Sequence, residues 1–467
     1  MNLPRILSVG LVFAAFPVLG AERILHEFKK LHLDKYYWSE GANFGDLNRD
    51  GHPDAISGPY WWEGPKFTIR HEIYPPVTRF TLKKPDGTEE QVPGFEGFFG
   101  KKNAYSTDNF FSFVHDFDGD GWNNVLTYGL PGTPAYVYIN PKTNDNHWAR
   151  HQVFDAVDNE SPTFADVTGD GKPEILCNSV GTFGYASPDC AKFSARWQFT
   201  SISGKGPWGN FNHGLGIGDV NGDGRMDILE RGGWWEQPKQ NQSGAIWARH
   251  PAAFSPGGGA QMFAYDVNGD GAADVVTSIA GHGYGLGWYE QLKEKDAEGN
   301  PQFRTHVFMN KEPAENRYGV AFSQLHALEL VDMDGDGLKD IVTGKCFWAH
   351  GPSGDPDPGA PAVLYWFQLV RGVKGSVDWI PHLIDSDSGV GRQIGVADVN
   401  GDRLPDLIIG NKKGTYVFIH ETRKVSESEW AGAQPSVKYP GAGDQQLRAE
   451  DVIQRTGAPR NPAPQSK

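Results

Sequence analysis

The chain has 467 residues, of which 38% are hydrophobic and 22% are charged, so it is long enough to bury a sizeable core. Its formal net charge of −15 excludes nucleic acid as the main partner. The 59 glycines, 32 prolines and 15 tryptophans predict short strands joined by tight turns rather than long helices.

The N-terminus has the three parts of a secretory signal peptide, which we place at residues 1–21. Arg5 carries a positive charge, residues 6–19 form an apolar run, and Gly20 and Ala21 offer small residues for cleavage. The run is about 14 residues long, short of the roughly 20 that a membrane-spanning helix needs. We therefore expect an exported protein, periplasmic or extracellular, without a transmembrane segment.

A nine-residue pattern, D-x-[DNT]-x-D-G-x-x-[DEN], occurs seven times and is followed each time by an aliphatic run. Its positions 1, 3, 5 and 9 are Asp46, Asn48, Asp50, Asp54; Asp116, Asp118, Asp120, Asn124; Asp166, Thr168, Asp170, Glu174; Asp219, Asn221, Asp223, Asp227; Asp266, Asn268, Asp270, Asp274; Asp332, Asp334, Asp336, Asp340; and Asp398, Asn400, Asp402, Asp406. Oxygens at positions 1, 3 and 5 of a tight loop converge, and the glycine at position 6 lets a backbone carbonyl and position 9 complete the shell of a hard cation. The pattern predicts up to seven Ca²⁺ sites. The seventh should be the weakest, because Arg403 replaces the glycine.

An EF-hand is the obvious rival, because its loop begins in the same way. It requires a glutamate at position 12 and a helix on either side. Position 12 is a glutamate in the fourth copy alone, at Glu230. The segments after the loops, such as residues 175–176 and 341–342, are short and β-branched, which predicts strands. EF-hands are therefore excluded.

Other features recur in phase with the loops and predict four strands per repeat. A strand precedes each loop, as at residues 215–218, and an aliphatic strand, an aromatic strand and a histidine-bearing strand follow it. The histidines repeat with the unit, so we interpret them as structural: His26, His71, His151, His250, His306 and His382. Residues 23–28 match the fourth strand but precede the first loop, and the last loop is followed by two strands. We expect the N-terminal strand to complete the last repeat and close the ring.

The loops and the strands after them resemble FG-GAP/VCBS repeats, the blade unit of integrin-α-like propellers, in the form found in secreted bacterial proteins. The resemblance covers residues 22–420 and implies an all-β, seven-bladed β-propeller with four-stranded blades and bound Ca²⁺. It implies no particular chemistry, because related propellers serve as adhesion modules, as lectin-like binders and as scaffolds of polysaccharide lyases and a sugar dehydratase. The polar segment 421–467 is expected to be a flexible tail.

The repeat register predicts a second functional region on the face opposite the loops. The residues six positions before each loop differ from copy to copy, and five of the seven are ionisable: Glu40, Phe110, Glu160, His213, Ala260, His326 and Arg392. The connections between second and third strands add further side chains to this face: Arg231, His282, Tyr284, Lys345, His350, Lys412 and Lys413. Such a set suits binding of an acidic sugar, or proton abstraction beside a carboxylate or keto group. The simpler alternative is the polar end of a water-filled channel.

The leading hypothesis is a monomeric calcium-binding propeller that binds an extracellular carbohydrate or protein on this face. The rivals are a lyase or dehydratase acting on an acidic or oxidised sugar, and a purely structural protein-interaction propeller. The ligand-binding candidates are His213, His326, Arg392, His282, Tyr284, Lys345 and His350. The catalytic candidates, should the protein be an enzyme, are His213, His326, Arg392, Glu160, Glu40, His282 and Tyr284.

The three cysteines do not indicate a disulfide framework. They are Cys177, Cys190 and Cys346, and an odd number leaves at least one without an intramolecular partner. A bridge between Cys177 and Cys190 stays open from the sequence. The cysteines also lack the spacing of a zinc site.

Overall fold

A computed structural model describes residues 22–76, 79–84, 86–93, 109–143, 147–189, 191–240, 244–350, 353–443 and 445–447. The predicted signal peptide, Cys190 and the last twenty residues lie outside the described residues. Within them, Cys177 and Cys346 are buried free thiols. This part of the chain is all-β, with six sheets, a short α-helix and two single turns of 3-10 helix at Pro313–Glu315 and Val373–Gly375. None of its helices has the length and apolar character to cross a membrane.

The first repeat unit is a four-stranded antiparallel sheet built around the first loop. The N-terminal strand β1 (Arg23–Asp34) precedes it in the chain and belongs to another sheet. In order across the sheet, the strands of the unit are β2 (Asn43–Gly45), β3 (Asp54–Ser57), β4 (Tyr60–Trp62) and β5 (Arg70–Glu72). Gly58 turns the chain between β3 and β4 with a φ of 58°, and a Cβ there would lie 2.6 Å from the Trp38 carbonyl oxygen. A hairpin of β6 (Arg79–Lys83) and β7 (Glu89–Pro93) follows.

The second and third units share one seven-stranded sheet because one long strand runs through both. The strands are β8 (Phe111–His115), β9 (Asn124–Tyr128), β10 (Thr133–Ile139), β11 (Ala149–Ala165), β12 (Glu174–Ser179), β13 (Thr182–Ser187) and β14 (Gln198–Ser201). The beginning of β11 pairs with β10 as the fourth strand of the second unit. Its end pairs with β12 as the first strand of the third unit. The two units are therefore continuous in hydrogen bonding.

The fourth and fifth units are joined in a different way. Their strands are β15 (Leu215–Gly218), β16 (Asp227–Glu230), β17 (Gly233–Glu236), β18 (Ala248–Pro251), β19 (Gln261–Tyr265), β20 (Asp274–Ser278), β21 (Leu286–Lys295) and β22 (Pro301–Met309). The two first strands, β15 and β19, pair in parallel, with Leu215 opposite Gln261. Because of these two junctions, the number of separate sheets differs from the seven that the repeats predict.

The sixth and seventh units form separate sheets, and the seventh contains both ends of the repeat region. The strands of the sixth are β23 (Leu328–Val331), β24 (Asp340–Gly344), β25 (Leu364–Arg371) and β26 (Val377–Asp385). Those of the seventh are β27 (Ile394–Ala397), β28 (Asp406–Asn411), β29 (Gly414–Val425) and the N-terminal β1. β1 pairs antiparallel with β29 from Arg23 opposite Val425 to Asp34 opposite Thr415. The N-terminal strand thus completes the last unit, as the sequence predicts.

The described residues beyond 420, which are 421–443 and 445–447, form regular structure in the segment expected to be a flexible tail. The predicted boundary falls inside β29, and α1 (Glu427–Ala433) follows, with Ser426 Oγ accepting a hydrogen bond from the Glu429 N–H at 3.2 Å. Arg23 holds this helix against β1 through an ion pair with Glu427 at 2.5 Å and a contact over the Trp430 ring. A last strand, β30 (Gln445–Leu447), pairs with β22. Polar composition misled the prediction, because these contacts are made by charged side chains.

Apolar packing joins each unit to the next, and the second strands carry it. Residues alternate in direction along a strand, so neighbouring residues of one second strand pack against opposite neighbours. Each of seven buried clusters in the described chain contains such a pair: Ile56 with Val125, Leu126 with Ile175, Leu176 with Ile228, Leu229 with Val275, Val276 with Ile341, Val342 with Leu407, and Ile408 with Ala55. The last pair joins the seventh unit to the first.

The first strands of six units line a common channel and are linked by amide side chains. Asn43 and Gln393 each donate to the Ser112 carbonyl oxygen, at 2.8 and 3.0 Å. Gln261 donates to the Arg392 carbonyl oxygen at 2.9 Å. A cavity of about 260 Å³ remains in the channel, and burial raises the pKa of its Glu329 to about 7.

Candidate functional site

The seven loops share one hydrogen-bonded turn, seen clearly in the fourth copy. Asp219 accepts hydrogen bonds from the backbone N–H groups of Gly222, Asp223 and Gly224, at 2.8 to 3.1 Å. In the second and sixth copies the three carboxylates at positions 1, 3 and 5 offer oxygens within 4.8 Å of one another: Asp116, Asp118, Asp120 and Asp332, Asp334, Asp336. Oxygen donors gathered in this way fit the ligand preference of Ca²⁺.

Six of the seven loops have a carboxylate at position 9, and these carboxylates are buried and anchor their loops to the sheets. In the fourth copy, one oxygen of Asp227 accepts the Val220 N–H at 2.9 Å and the other accepts the Gln237 N–H at 2.9 Å. Glu174 departs from this arrangement by accepting the Val167 N–H with one oxygen and the Thr168 hydroxyl with the other. These side chains therefore support the loop whether or not a cation is bound.

The seventh loop keeps the common turn although it lacks the glycine. Arg403 has a φ of 72°, close to the 82° to 89° of the glycines at position 6 in the other copies, and its N–H donates to Asp398 at 2.8 Å. A Cβ at the corresponding Gly224 meets nothing within 4 Å. The substitution therefore costs backbone strain rather than a steric clash.

Arg403→Gly should raise the free energy of unfolding by about 1 kcal/mol, because it removes the strain of a left-handed non-glycine residue. It should also strengthen calcium binding at this loop, because it removes the positively charged Arg403 side chain from the loop. Chemical denaturation and calcium titration measure the two effects. Lys172→Gly is the matched control, because Lys172 is an exposed cation of the third loop that lacks a positive φ, so its replacement relieves no strain. A destabilised Arg403→Gly protein would contradict the strain argument.

Four of the six recurring histidines pack between strands, in agreement with the structural role that their periodicity predicts. His71, His250 and His306 each stack on the tryptophan of the neighbouring strand at 4.2 Å, and each bonds a glutamate of that strand at 2.8 Å. His382 stacks on Trp366 at 4.3 Å. These contacts join the third strand of each of these units to its fourth strand.

The predicted residues on the opposite end form a compact buried cluster at the mouth of the channel. Glu160 lies in β11, and His213, His326 and Arg392 each lie two residues before a first strand. His282 comes from the connection between β20 and β21. Five units therefore bring one side chain each to the same place. The repeat register predicted this for Glu160, His213, His326 and Arg392, and the position of its connection predicted it for His282.

Glu160 is the centre of this cluster. Its Oε2 atom lies 3.2 Å from Arg392 Nη2, 3.5 Å from His213 Nε2 and 3.9 Å from His326 Nε2. The Nε2 atoms of His326 and His282 lie 3.5 Å apart. Glu160 and Arg392 are 5% and 4% exposed, so their ion pair is formed away from solvent.

Burial and neighbouring charges set the protonation of the cluster. Burial alone would raise the pKa of Glu160, but the charges of Arg392 and His213 outweigh it and hold the pKa below its usual value. Burial lowers the pKa of His213, although Glu160 opposes the shift. These shifts favour the ionised form of Glu160 and disfavour the protonated form of His213.

A loop after β24 covers one side of the cluster and carries two residues that the sequence analysis missed. Asp355 accepts hydrogen bonds from His282 Nδ1 at 3.2 Å and His350 Nδ1 at 3.0 Å, and these bonds outweigh burial and lower its pKa. The two imidazoles stack at 4.4 Å. Asp357 accepts the Tyr284 hydroxyl. The spacing of these aspartates gives no repeat signal, so sequence periodicity cannot find them.

The remaining candidates lie around the cluster with different partners. Lys345 is fully buried, donates to Ser323 Oγ at 2.8 Å, and has its pKa lowered to about 8 by burial. Glu40 pairs with Lys412, and the Tyr37 hydroxyl donates to the same carboxylate at 2.8 Å. Two members of the predicted ring, Phe110 and Ala260, are buried apolar residues. The candidates Arg231 and Lys413 are partly buried. The buried Glu40 pair is a second ionic contact at this end.

The units, their pairwise packing and their common loops define a β-propeller-like protein. Residues 116–177 match the family model of the FG-GAP-like repeat, so the chain carries the repeat that its loops resemble. No curated protein matches the sequence.

The solved structures that match the chain include three proteins of low identity. An Agrocybe aegerita lectin that recognises non-reducing terminal N-acetylglucosamine is 14% identical over 85% of this chain and 97% of that chain, with a TM-score of 0.40. The V. cholerae biofilm matrix protein Bap1 is 11% identical over 85% and 84%, with a TM-score of 0.33. The rhamnogalacturonan lyase YesW is 13% identical over 84% and 75%, with a TM-score of 0.37.

Proposed function

We propose that the chain is an exported, calcium-binding β-propeller of seven blades that binds an acidic carbohydrate at the channel mouth opposite the loops. Closure of the ring is supported by the pairing of β1 with β29 and by the packing of Ile408 with Ala55. Calcium binding is supported by the seven acidic turns, and export by the signal-peptide pattern of residues 1–21.

The observation that carries the ligand proposal is the cluster around Glu160 and the loop beside it. Glu160 neutralises part of the charge of Arg392, but His350 stands at the surface with 59% of its side chain exposed. Its hydrogen bond to Asp355 raises its pKa, so it carries more positive charge than an ordinary histidine. The exposed His350 imidazole, with its raised pKa and its stacking on His282, suits a sugar that carries a carboxylate.

The close approach of His213 and Arg392 to one carboxylate favours a lyase or dehydratase as the second candidate. In such a reaction an imidazole nitrogen accepts the proton from the carbon beside a carboxylate or keto group. The carbon–oxygen bond on the next carbon then breaks, a carbon–carbon double bond forms, and the leaving oxygen is protonated. Arg392 would stabilise the negative charge that develops on the substrate.

Replacing the exposed His350 with alanine should weaken binding of the wild type's polysaccharide ligand at least about tenfold, equivalent to roughly 1.4 kcal/mol. The ligand is found with a panel of acidic and neutral polysaccharides, scored for retention and for an ultraviolet-absorbing unsaturated product. His52→Ala is the matched control, because His52 is an exposed histidine in the first loop. Retention without product supports the binder, and product supports the lyase. Equal losses in both variants, or no retention and no product across the panel, would contradict both candidates and favour a protein-interaction propeller.

A further inference from the structure

Three histidines and one glutamate at the channel mouth have the arrangement of a metal-binding site of a kind different from the acidic loops. His213, His282, His326 and Glu160 each offer one ligand atom, and these four atoms lie within 4.8 Å of one another. Three of their separations are 3.5, 3.5 and 3.9 Å. Zinc–ligand bonds of about 2.0–2.1 Å in a tetrahedron place ligand atoms about 3.3 Å apart, so a small inward movement of side chains is enough.

The hydrogen bonds of two of the imidazoles leave the converging nitrogens without a proton. His213 Nδ1 lies 2.9 Å from the Phe211 carbonyl oxygen, which can only accept, so Nδ1 carries the proton and Nε2 carries a lone pair. Asp355 holds Nδ1 of His282 in the same way, which leaves the lone pair of His282 on Nε2. A carbonyl and a carboxylate behind metal-binding histidines are the usual partners that fix the ring tautomer.

The lone pair of His213 is both buried and unsatisfied. His213 is 9% exposed, and its Nε2 atom has no hydrogen-bond partner among the described residues. Buried polar atoms of side chains are nearly always paired, so an orphaned acceptor aimed at three other ligand atoms needs an explanation. A cation at the common centre supplies the missing partner.

We propose that His213, His282, His326 and Glu160 bind one divalent transition-metal ion of the zinc class at the channel mouth. Three imidazoles and one carboxylate favour such an ion over Ca²⁺, which takes six to eight oxygens. Four protein ligands complete a tetrahedral shell, so the ion acts first as a structural bond. The ligands come from the third to the sixth units, and the metal therefore ties four consecutive units together.

This proposal does not depend on carbohydrate binding, and it limits the second candidate function. A metal-bound Nε2 atom has no lone pair with which to accept a substrate proton. An occupied site therefore excludes His213 as the base of a lyase. The exposed His350 is outside the four ligands and remains available to a ligand at the rim.

Cobalt(II) tests the site directly, because tetrahedral Co²⁺ with nitrogen ligands absorbs visible light strongly and octahedral Co²⁺ with oxygen ligands absorbs weakly. The whole protein is stripped with a chelator, saturated with Ca²⁺ to fill the loops, and titrated with Co²⁺ without any carbohydrate. We expect one equivalent to give the tetrahedral spectrum, and one equivalent of Zn²⁺ to abolish it. The same ion should raise the melting temperature, because it binds the folded state alone.

His282→Ala and His326→Ala should each lose the tetrahedral spectrum. Asp355→Asn should weaken Co²⁺ binding roughly 10–100-fold, because the carboxylate that fixes the His282 tautomer is then missing. His52→Ala, in the first loop, is the control and should keep the full spectrum. His282 is partly exposed, so its variant should retain the wild-type melting temperature in Ca²⁺ alone, which separates a lost ligand from a lost fold. A wild type without the spectrum, or a spectrum retained in both histidine variants, would overturn the metal site and leave the proposed carbohydrate binding untouched.

Discussion

Removal of calcium is expected to lower the melting temperature of this protein by roughly 10 °C or more. A site that binds only the folded state adds about 4 kcal/mol when free calcium is a thousandfold above its Kd, and the chain has seven candidate loops. Without the cation, carboxylates such as Asp332, Asp334 and Asp336 face one another at short range and repel. Thermal melts followed by tryptophan fluorescence, in EGTA and after re-addition of Ca²⁺, measure the effect.

Restoring one metal at a time distinguishes the stability that comes from the acidic loops from the stability that comes from the histidine site. EGTA also removes zinc-class ions, so Ca²⁺ and Zn²⁺ are restored separately. Recovery of most of the melting temperature with Ca²⁺ alone assigns it to the acidic loops. An unchanged melt in chelator, together with no calcium by elemental analysis, would rule out the calcium proposal.

Asp227→Ala is expected to lower the free energy of unfolding by about 2–6 kcal/mol even in the absence of calcium. The variant leaves the N–H groups of Val220 and Gln237 buried without an acceptor, at about 1–3 kcal/mol each. Asp227 has no exposed surface, so water cannot readily replace the carboxylate. Chemical denaturation in chelator measures this anchoring effect apart from the metal.

Asp155→Ala is the matched control, because 80% of the Asp155 side chain is exposed and its one ion pair is with the exposed Arg196. Its effect should stay within about 0.5 kcal/mol. A loss below 1 kcal/mol for Asp227→Ala would mean that the loop does not need its anchor. The position-9 carboxylates would then act through the cation alone.

Repetition determined which parts of this molecule could be predicted from its sequence. Seven copies of one loop fixed the strands around it, so residues 215–218 were predicted as the strand that is observed. The same register brought Glu160, His213, His326 and Arg392 together, because each lies at the start of a first strand. Each of the seven copies gives evidence for the same strands, so one irregular copy does not change the prediction.

Features that occur once escaped prediction. Asp355 contacts His282 across 73 positions of the chain, from a loop that has no counterpart in the other units. The second and third units share a sheet because β11 is long enough to belong to both. The fourth and fifth units share one because β15 pairs in parallel with β19. The sequence repeat predicts neither junction. The helix after β29 did have a local signal, since Ser426 and Glu429 form the start of a capping box.

The pairing of β1 with β29 also has a consequence for the order in which the molecule can assemble. β1 cannot pair until β29 has been synthesised, because residues 24 and 424 are partners. Until then both strands present unpaired backbone groups, which are templates for association with other chains. Contacts so distant in sequence also slow folding. A chain whose synthesis or translocation has not yet passed β29 therefore cannot form this pairing, and a chain shortened before residue 414 would keep an open sheet edge at β1.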